Sequence, residues 1–253
     1  MKIALPMSHL ITGKTINQIP VDVYEMRDQP SKIFMFSNAP LVWHSSLGCM
    51  KRLFLHQFEL WAKKWGKRVP LYSCTLGPAV RDYQIVDGLY KSANGNGPMN
   101  KEDIKKWFMA LVRNMREVYG GEIAFENTNG YPYPEYVHVS EPAFIRELLK
   151  ETDTYMILDI AHAMITSHYA KINFSDYVSQ LDSSRIIGVH LSRPEMIEGK
   201  IWDAHLYPTN WIFDMFRVLR KYIPRDAYVA IEYYGDFEKL KECYETLREI
   251  VNG

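Results

Sequence analysis

Eight side chains of this 253-residue chain can do chemistry together: His44, Glu126, Asp159, His162, His190, Asp203, His205 and Glu232. His44, Glu126, Asp159, His190 and Glu232 each close a short apolar run, His162 stands three residues past Asp159, and Asp203 and His205 follow His190. A carboxylate at the end of a buried apolar run is costly unless it is paired or binds a cation. The runs bring no obvious Lys or Arg to these positions, so divalent cations, more than one of them, are the expected compensation. Imidazole nitrogen and carboxylate oxygen suit iron, zinc and manganese alike. A lone histidine at such a place is usually a satisfied hydrogen-bonding group, and only the recurrence at five run ends raises the metal reading above that. Glu25 reads equally well as a rim group. His9, His56, His138 and His168 read as surface or supporting residues, with His9, His138 and His168 in loops.

The elements that must position these groups follow from hydropathy. Strands are expected at Lys2–Pro6, Val21–Met26, Leu41–His44, Val69–Thr75, Glu122–Glu126, Tyr155–Asp159, Ile186–Leu191 and Tyr228–Glu232. Amphipathic helices lie between them. One presents Met50, Leu53, Phe54, Phe58, Trp61 and Trp65; another presents Ile104, Phe108, Leu111, Met115 and Val118 behind Asn100 as cap. Others are expected at Glu141–Lys150 behind Ser140, at Ser175–Leu181, at Trp211–Tyr222 and at Asp236–Val251. Eight strands apolar on both faces, each followed by helical sequence, predict an α/β fold: one (β/α)8 barrel domain over residues 1–253. A doubly wound open sheet is the alternative. In a barrel every one of the eight groups would converge on the mouth at the strands' C-terminal ends. Two long connections, Gly77–Asn100 and the Tyr/Pro-rich Asn127–Val139, would overhang that mouth. Asn127, Tyr131 and Tyr133 are the candidate substrate contacts, with packing the alternative for the tyrosines.

Composition narrows the function classes. Thirty basic residues balance thirty acidic ones, which speaks against a broadly basic nucleic-acid surface. No apolar run approaches the roughly 18 residues that span a membrane, and the N-terminus lacks the apolar stretch of a signal peptide. Three cysteines without a C-x-x-C spacing read as reduced, and a cytoplasmic location is expected.

The order His44, Glu126-Asn127-Thr128, Asp159-Ile160-Ala161-His162, His190-Leu191-Ser192, Asp203-Ala204-His205, Glu232 resembles the xylose-isomerase-like TIM-barrel superfamily. Glu126, Asp159, His190 and Glu232 look like the ligand set shared across it. His162 and the Asp203/His205 pair look like the added ligands of its multinuclear members. The wording Phe125-Glu126-Asn127, Glu141-Pro142-Ala143-Phe144 and Pro40-Leu41-Val42-Trp43-His44 is similar to the multinuclear non-haem iron oxidative enzymes within it. One position departs: strand four ends Ser73-Cys74-Thr75 where that family places a histidine, which leaves Thr75, or an unusual Cys74 thiolate, and a two-metal site becomes an alternative to three.

The resemblance implies a metal-dependent enzyme with iron ahead of zinc or manganese, Glu126 and Glu232 as catalytic groups, and Glu126 able to bridge. It implies a small-molecule or peptide substrate, typically a cysteine of a ribosomally made peptide, and a partner protein that delivers it. Two other readings use the same ligands: a sugar isomerase or epimerase, and an endonuclease IV-like phosphodiester hydrolase. Against the nuclease, the chain lacks an H-x-N-D-S-K-like run after strand seven.

Overall fold

The computed structural model describes residues 1–28 and 40–253. Eight parallel strands close a barrel: β1 (Lys2–Pro6), β2 (Val23–Met26), β3 (Leu41–Ser45), β4 (Leu71–Thr75), β7 (Glu122–Glu126), β8 (Tyr155–Asp159), β9 (Ile186–Leu191) and β12 (Tyr228–Ile231), the last returning to β1. The open-sheet alternative is therefore excluded. β5 (Tyr83–Val86) with β6 (Leu89–Ser92), and β10 (Arg193–Ile197) with β11 (Lys200–Leu206), form two antiparallel hairpins outside the barrel.

Alternation along the strands builds the interior. Ala4, Val23, Val42, Leu71, Ala124, Ile157, Tyr228 and Ala230 point inward and pack as one apolar layer. Because side chains alternate faces, residues two further on also point inward, and these are Glu25, His44, Ser73, Glu126, Asp159 and Glu232, with His190 beside them on β9. The barrel thus passes from an oily plug to a polar layer within one strand repeat. Residues of opposite parity, such as Trp43, Tyr72, Cys74, Phe125 and Leu158, join the larger core between strands and helices.

The helices pack that outer core. They are α1 (Phe54–Trp65), α2 (Lys101–Val118), α3 (Pro142–Thr152), α4 (Ile160–Ala170), α5 (Phe174–Ser179), α6 (Asn210–Leu219) and α7 (Phe237–Asn252). On α2, Ile104, Phe108, Leu111 and Met115 are buried and the Asn100 side chain accepts from the Asp103 amide, as the sequence predicts. Leu53 and Val118 fall off the buried stripes and are 55% and 48% exposed. Ser140 does not cap α3: Glu141 holds that position, and the Ser140 hydroxyl donates to the Tyr136 carbonyl at 3.0 Å.

Two segments differ from expectation. The connection Gly77–Asn100 is not one long loop, since it folds into β5–β6. α4 has no counterpart in the predicted helices, and it starts directly from Asp159 with no loop between, so His162 and His168 are helical. Its Ile160, Ala161, His162, Ala163, Ile165, Thr166 and Ser167 are all buried, so it lacks the polar face that marks an amphipathic helix. Among the described residues, no helix is long and apolar enough to cross a membrane.

The inner layer tests the packing. A Cβ on Gly188 would lie 2.6 Å from the Tyr228 ring and 2.8 Å from Ile157. Gly188→Ala is expected to cost about 1–3 kcal/mol through overpacking, read as a drop in thermal midpoint of roughly 2–4 °C per kcal/mol. Gly120→Ala, with open space around its Cβ, should leave the midpoint unchanged.

Candidate metal centre

His44 comes from the last turn of β3's inner face. Its Nδ1 lies 3.0 Å from Ser73 Oγ, whose own proton goes to the Trp43 carbonyl at 3.1 Å. The serine oxygen then accepts from Nδ1–H, which leaves Nε2 with a free lone pair facing Glu126 Oε2 at 3.5 Å. Burial pushes this imidazole below its ordinary pKa, with Glu126 only partly opposing, so it stays neutral and fit to coordinate.

Asp159 both ends β8 and caps α4. Its Oδ1 accepts from the His162 amide at 2.7 Å, while its Oδ2 is buried with no hydrogen-bond partner. Asn127 fixes this junction: its amide nitrogen donates to the Asp159 carbonyl at 3.0 Å and its oxygen accepts from the Asp159 amide at 2.8 Å. The His162 ring is held by the Asn127 carbonyl at Nδ1, 2.7 Å, and reaches Asp203 Oδ2 with Nε2 at 3.1 Å.

His190 lies at the centre, wholly buried. Its Nδ1 is 2.6 Å from Glu126 Oε1 and 3.2 Å from Glu232 Oε1, and its Nε2 is 2.9 Å from Glu25 Oε2. The β10–β11 hairpin brings Asp203 and His205 over the mouth. His205 Nε2 meets Glu232 Oε2 at 2.9 Å, from a backbone with φ of +45°. That left-handed conformation in a non-glycine residue carries strain on the order of 1–3 kcal/mol, of the kind found where a side chain must be aimed.

All eight predicted groups therefore meet at one mouth. Three overlapping trios place ligand atoms within 4.8 Å of one another: His44, Glu126 and His190; Glu25, His190 and Glu232; and Glu126, Asp159 and His162. Glu126 and His190 each belong to two of them. The donor set and the orphaned Asp159 oxygen fit divalent cations. Without a cation, burial together with Glu126, Glu232 and Asp203 raises Asp159 to about 7 against the pull of His162.

Two groups fall differently from expectation. Glu25 is fully buried and belongs to the cluster, not to its rim. Arg27 ion-pairs with Glu25 Oε1 at 2.6 Å and also donates to Glu232 Oε1, so the expectation of a mouth without a basic residue is wrong. Burial would raise Glu25, but Arg27 and His190 outweigh it and hold the carboxyl at about 2. The signal was available, since Arg27 directly follows β2, two residues past Glu25, where the alternation of faces carries on.

The geometry changes other expectations. Cys74 points away from the mouth into the outer core, and burial pushes its thiol well above the usual range, so it is no thiolate ligand. Thr75 does face inward, and its hydroxyl donates to Glu126 Oε2 at 3.1 Å. Asn127 is wholly buried and committed to Asp159. The Tyr131 hydroxyl accepts from the Asp203 amide at 3.0 Å and holds the hairpin, and the Tyr133 ring sits under Lys91. A groove of about 740 Å³ beside α1, lined by Trp43, Ser45 and Tyr72, lies on the outer face of the wall and contains none of the eight groups.

Residues 97–252 match the family described as RiPP precursor modification enzyme MbnB/TglH/ChrH, where RiPP denotes a ribosomally synthesised, post-translationally modified peptide. The chain belongs to this family. The matched stretch carries every predicted ligand except His44. A UPF0276 protein of Acaryochloris marina is 28% identical over 111 residues, 43% of this chain and 40% of that protein, so the chain spans about two fifths of that relative's length. In fold, the chain is similar to a putative xylose isomerase from Rhodospirillum rubrum (TM-score 0.68, 12% identity, covering 98% and 99% of the two chains). It is also similar to the E. coli 3-keto-D-glucoside 4-epimerase YcjR (TM-score 0.63, 13% identity, 100% of both chains). At that identity they establish the TIM-barrel fold alone.

Glu126→Gln is expected to remove most bound metal from a reconstituted sample, by elemental analysis, whereas Cys74→Ala should keep the full wild-type content. Carboxylates at both His190 nitrogens outweigh the opposing effect of burial and hold that ring protonated well above its usual pKa. Metal uptake must therefore expel protons, and apparent affinity should rise with pH. Titration calorimetry in two buffers of different ionisation heat should give different apparent enthalpies; identical values would count against His190 as a ligand.

Proposed function

We propose that this chain is a metal-dependent enzyme that oxidatively modifies a ribosomally made peptide, using two or three iron ions held in the barrel mouth. The observation that carries the reading is the overlap of three ligand trios on shared Glu126 and His190, within a chain of the RiPP-modifying family. Shared ligands favour neighbouring ions over one isolated ion. Iron bound there would supply one-electron redox chemistry, whereas zinc in the same ligands would supply Lewis-acid chemistry.

The chain's own residues divide the remaining work. His44, Glu126, Asp159, His162, His190 and Glu232 are the proposed ligands, with Asp203 and His205 completing them from the hairpin. Ser73 fixes the His44 tautomer, and Asn127 fixes Asp159, so both ligands are oriented before a cation arrives. Glu126 and Glu232 are the proposed catalytic carboxylates. His205, 32% exposed and in contact with Glu232, can carry a proton between that carboxylate and solvent. Tyr133, partly exposed on the loop after β7, is the proposed contact for substrate backbone. A cysteine-bearing peptide, presented by a delivering protein, is the proposed substrate.

The test is co-expression, in iron-supplemented cells, with any short cysteine-bearing peptide found encoded beside this chain's gene, followed by mass spectrometry. A mass change localised to a cysteine, absent with Glu126→Gln, is the expected result. Unchanged peptide together with metal-dependent epimerisation of a free ketose, or cleavage of an abasic-site duplex, would replace the proposal with one of those activities.

A further inference from the structure

Charge in the mouth is more tightly specified than the ligand trios alone convey. Five carboxylates converge there: Glu25, Glu126 and Glu232, with side chains at most 4% exposed, Asp159, fully buried, and Asp203, 18% exposed. Among the described residues, Arg27 is the one Lys or Arg that ion-pairs with any of them. It does so on the edge formed by Glu25 and Glu232, which is also one of the three trios.

We propose that Arg27 is a resident cation standing in place of a metal ion at the Glu25–Glu232 edge, so that the mouth takes up two divalent ions and not three. The proposal rests on the metal-dependent reading above and specifies its stoichiometry. One ion is centred on His44, Glu126 and His190, the other on Glu126, Asp159 and His162, with Glu232 Oε2, Asp203 and His205 left to complete them.

Three observations support this. The guanidinium contacts Glu232 Oε1, the same oxygen that lies 3.2 Å from His190 Nδ1, so an ion placed among Glu25, His190 and Glu232 would sit against a fixed positive charge. A guanidinium never deprotonates in a protein, and its fork of donors suits carboxylates, so it cannot step aside by losing its charge. Electroneutrality gives the same count. With the histidines neutral, one guanidinium and two divalent ions balance five carboxylates, whereas a third ion leaves an excess of two positive charges in a site walled by apolar strands. The pair is also built into the wall, because Glu25 and Arg27 are neighbours on the inner face of β2's end. On the opposite side, β4 offers Thr75 and no imidazole, so nothing there recruits an extra ion.

The count can be read without any turnover. Chelator-stripped protein is reconstituted anaerobically with Fe²⁺, and separately with redox-silent Zn²⁺, desalted, and measured by plasma mass spectrometry. Wild type and Arg27→Lys should hold two equivalents. Arg27→Gln should hold three, and the third should vanish when Glu25→Gln is added. A wild-type count other than two overturns the proposal, as does a count of two in Arg27→Gln that folds like wild type by circular dichroism. Should Arg27→Gln fail to fold, three equivalents in Arg27→Lys overturn it and two support it. A wild-type count of zero overturns the metal-dependent reading as well, which separates the two failures.

Discussion

Compensation of buried negative charge is the constraint on which the rest of this structure depends. Five carboxylates and four imidazoles occupy one end of a barrel whose next layer is packed by Ala, Val, Leu and Ile side chains and the ring of Tyr228. Water cannot solvate them there at the density it would on a surface, so each must find a proton, a cation or a hydrogen-bond donor. The contacts follow from that demand: His190 between Glu25, Glu126 and Glu232, His162 against Asp203, His205 against Glu232, and Arg27 across Glu25 and Glu232. Asp159 is left with one unpartnered oxygen, and its pKa near 7 records how poorly the protein alone satisfies it.

Meeting that demand takes supporting groups that do no chemistry themselves. Ser73 decides which nitrogen of His44 faces Glu126, because a serine already committed to a carbonyl can only accept from the other nitrogen. Asn127 ties the end of β7 to the start of α4 with two hydrogen bonds and thereby fixes Asp159. Tyr131 anchors the hairpin that carries Asp203 and His205. Each of these is buried, and each acts through a proposed ligand.

The same barrel serves sugar epimerases and the RiPP-modifying family to which this chain belongs. Fold therefore leaves the reaction open, and function must be argued from the mouth. In this chain the mouth is completed by the hairpin β10–β11, which carries Asp203 and His205, and by the ion pair of Glu25 with Arg27.

Much of this was legible in the residue order. Hydropathy located all eight barrel strands, because strands buried on both faces read as continuous apolar runs, and the run ends marked the polar layer. Helix α4 stayed hidden for the opposite reason: its first two turns are almost wholly buried, so no polar stripe announces it. The hairpins were missed because their strands lie outside the barrel core, in segments without an apolar run. Sequence spacing nominated the eight candidate ligands, yet it could not exclude Cys74, since only strand parity in the closed barrel turns Thr75 inward and Cys74 outward. Nor could it pair Arg27 with Glu232, 205 residues away. The sequence by itself determined which groups had to be compensated, through residue type and alternation along each strand. Tertiary structure decided what compensates them, because closing the barrel sets the distances between charges from different strands.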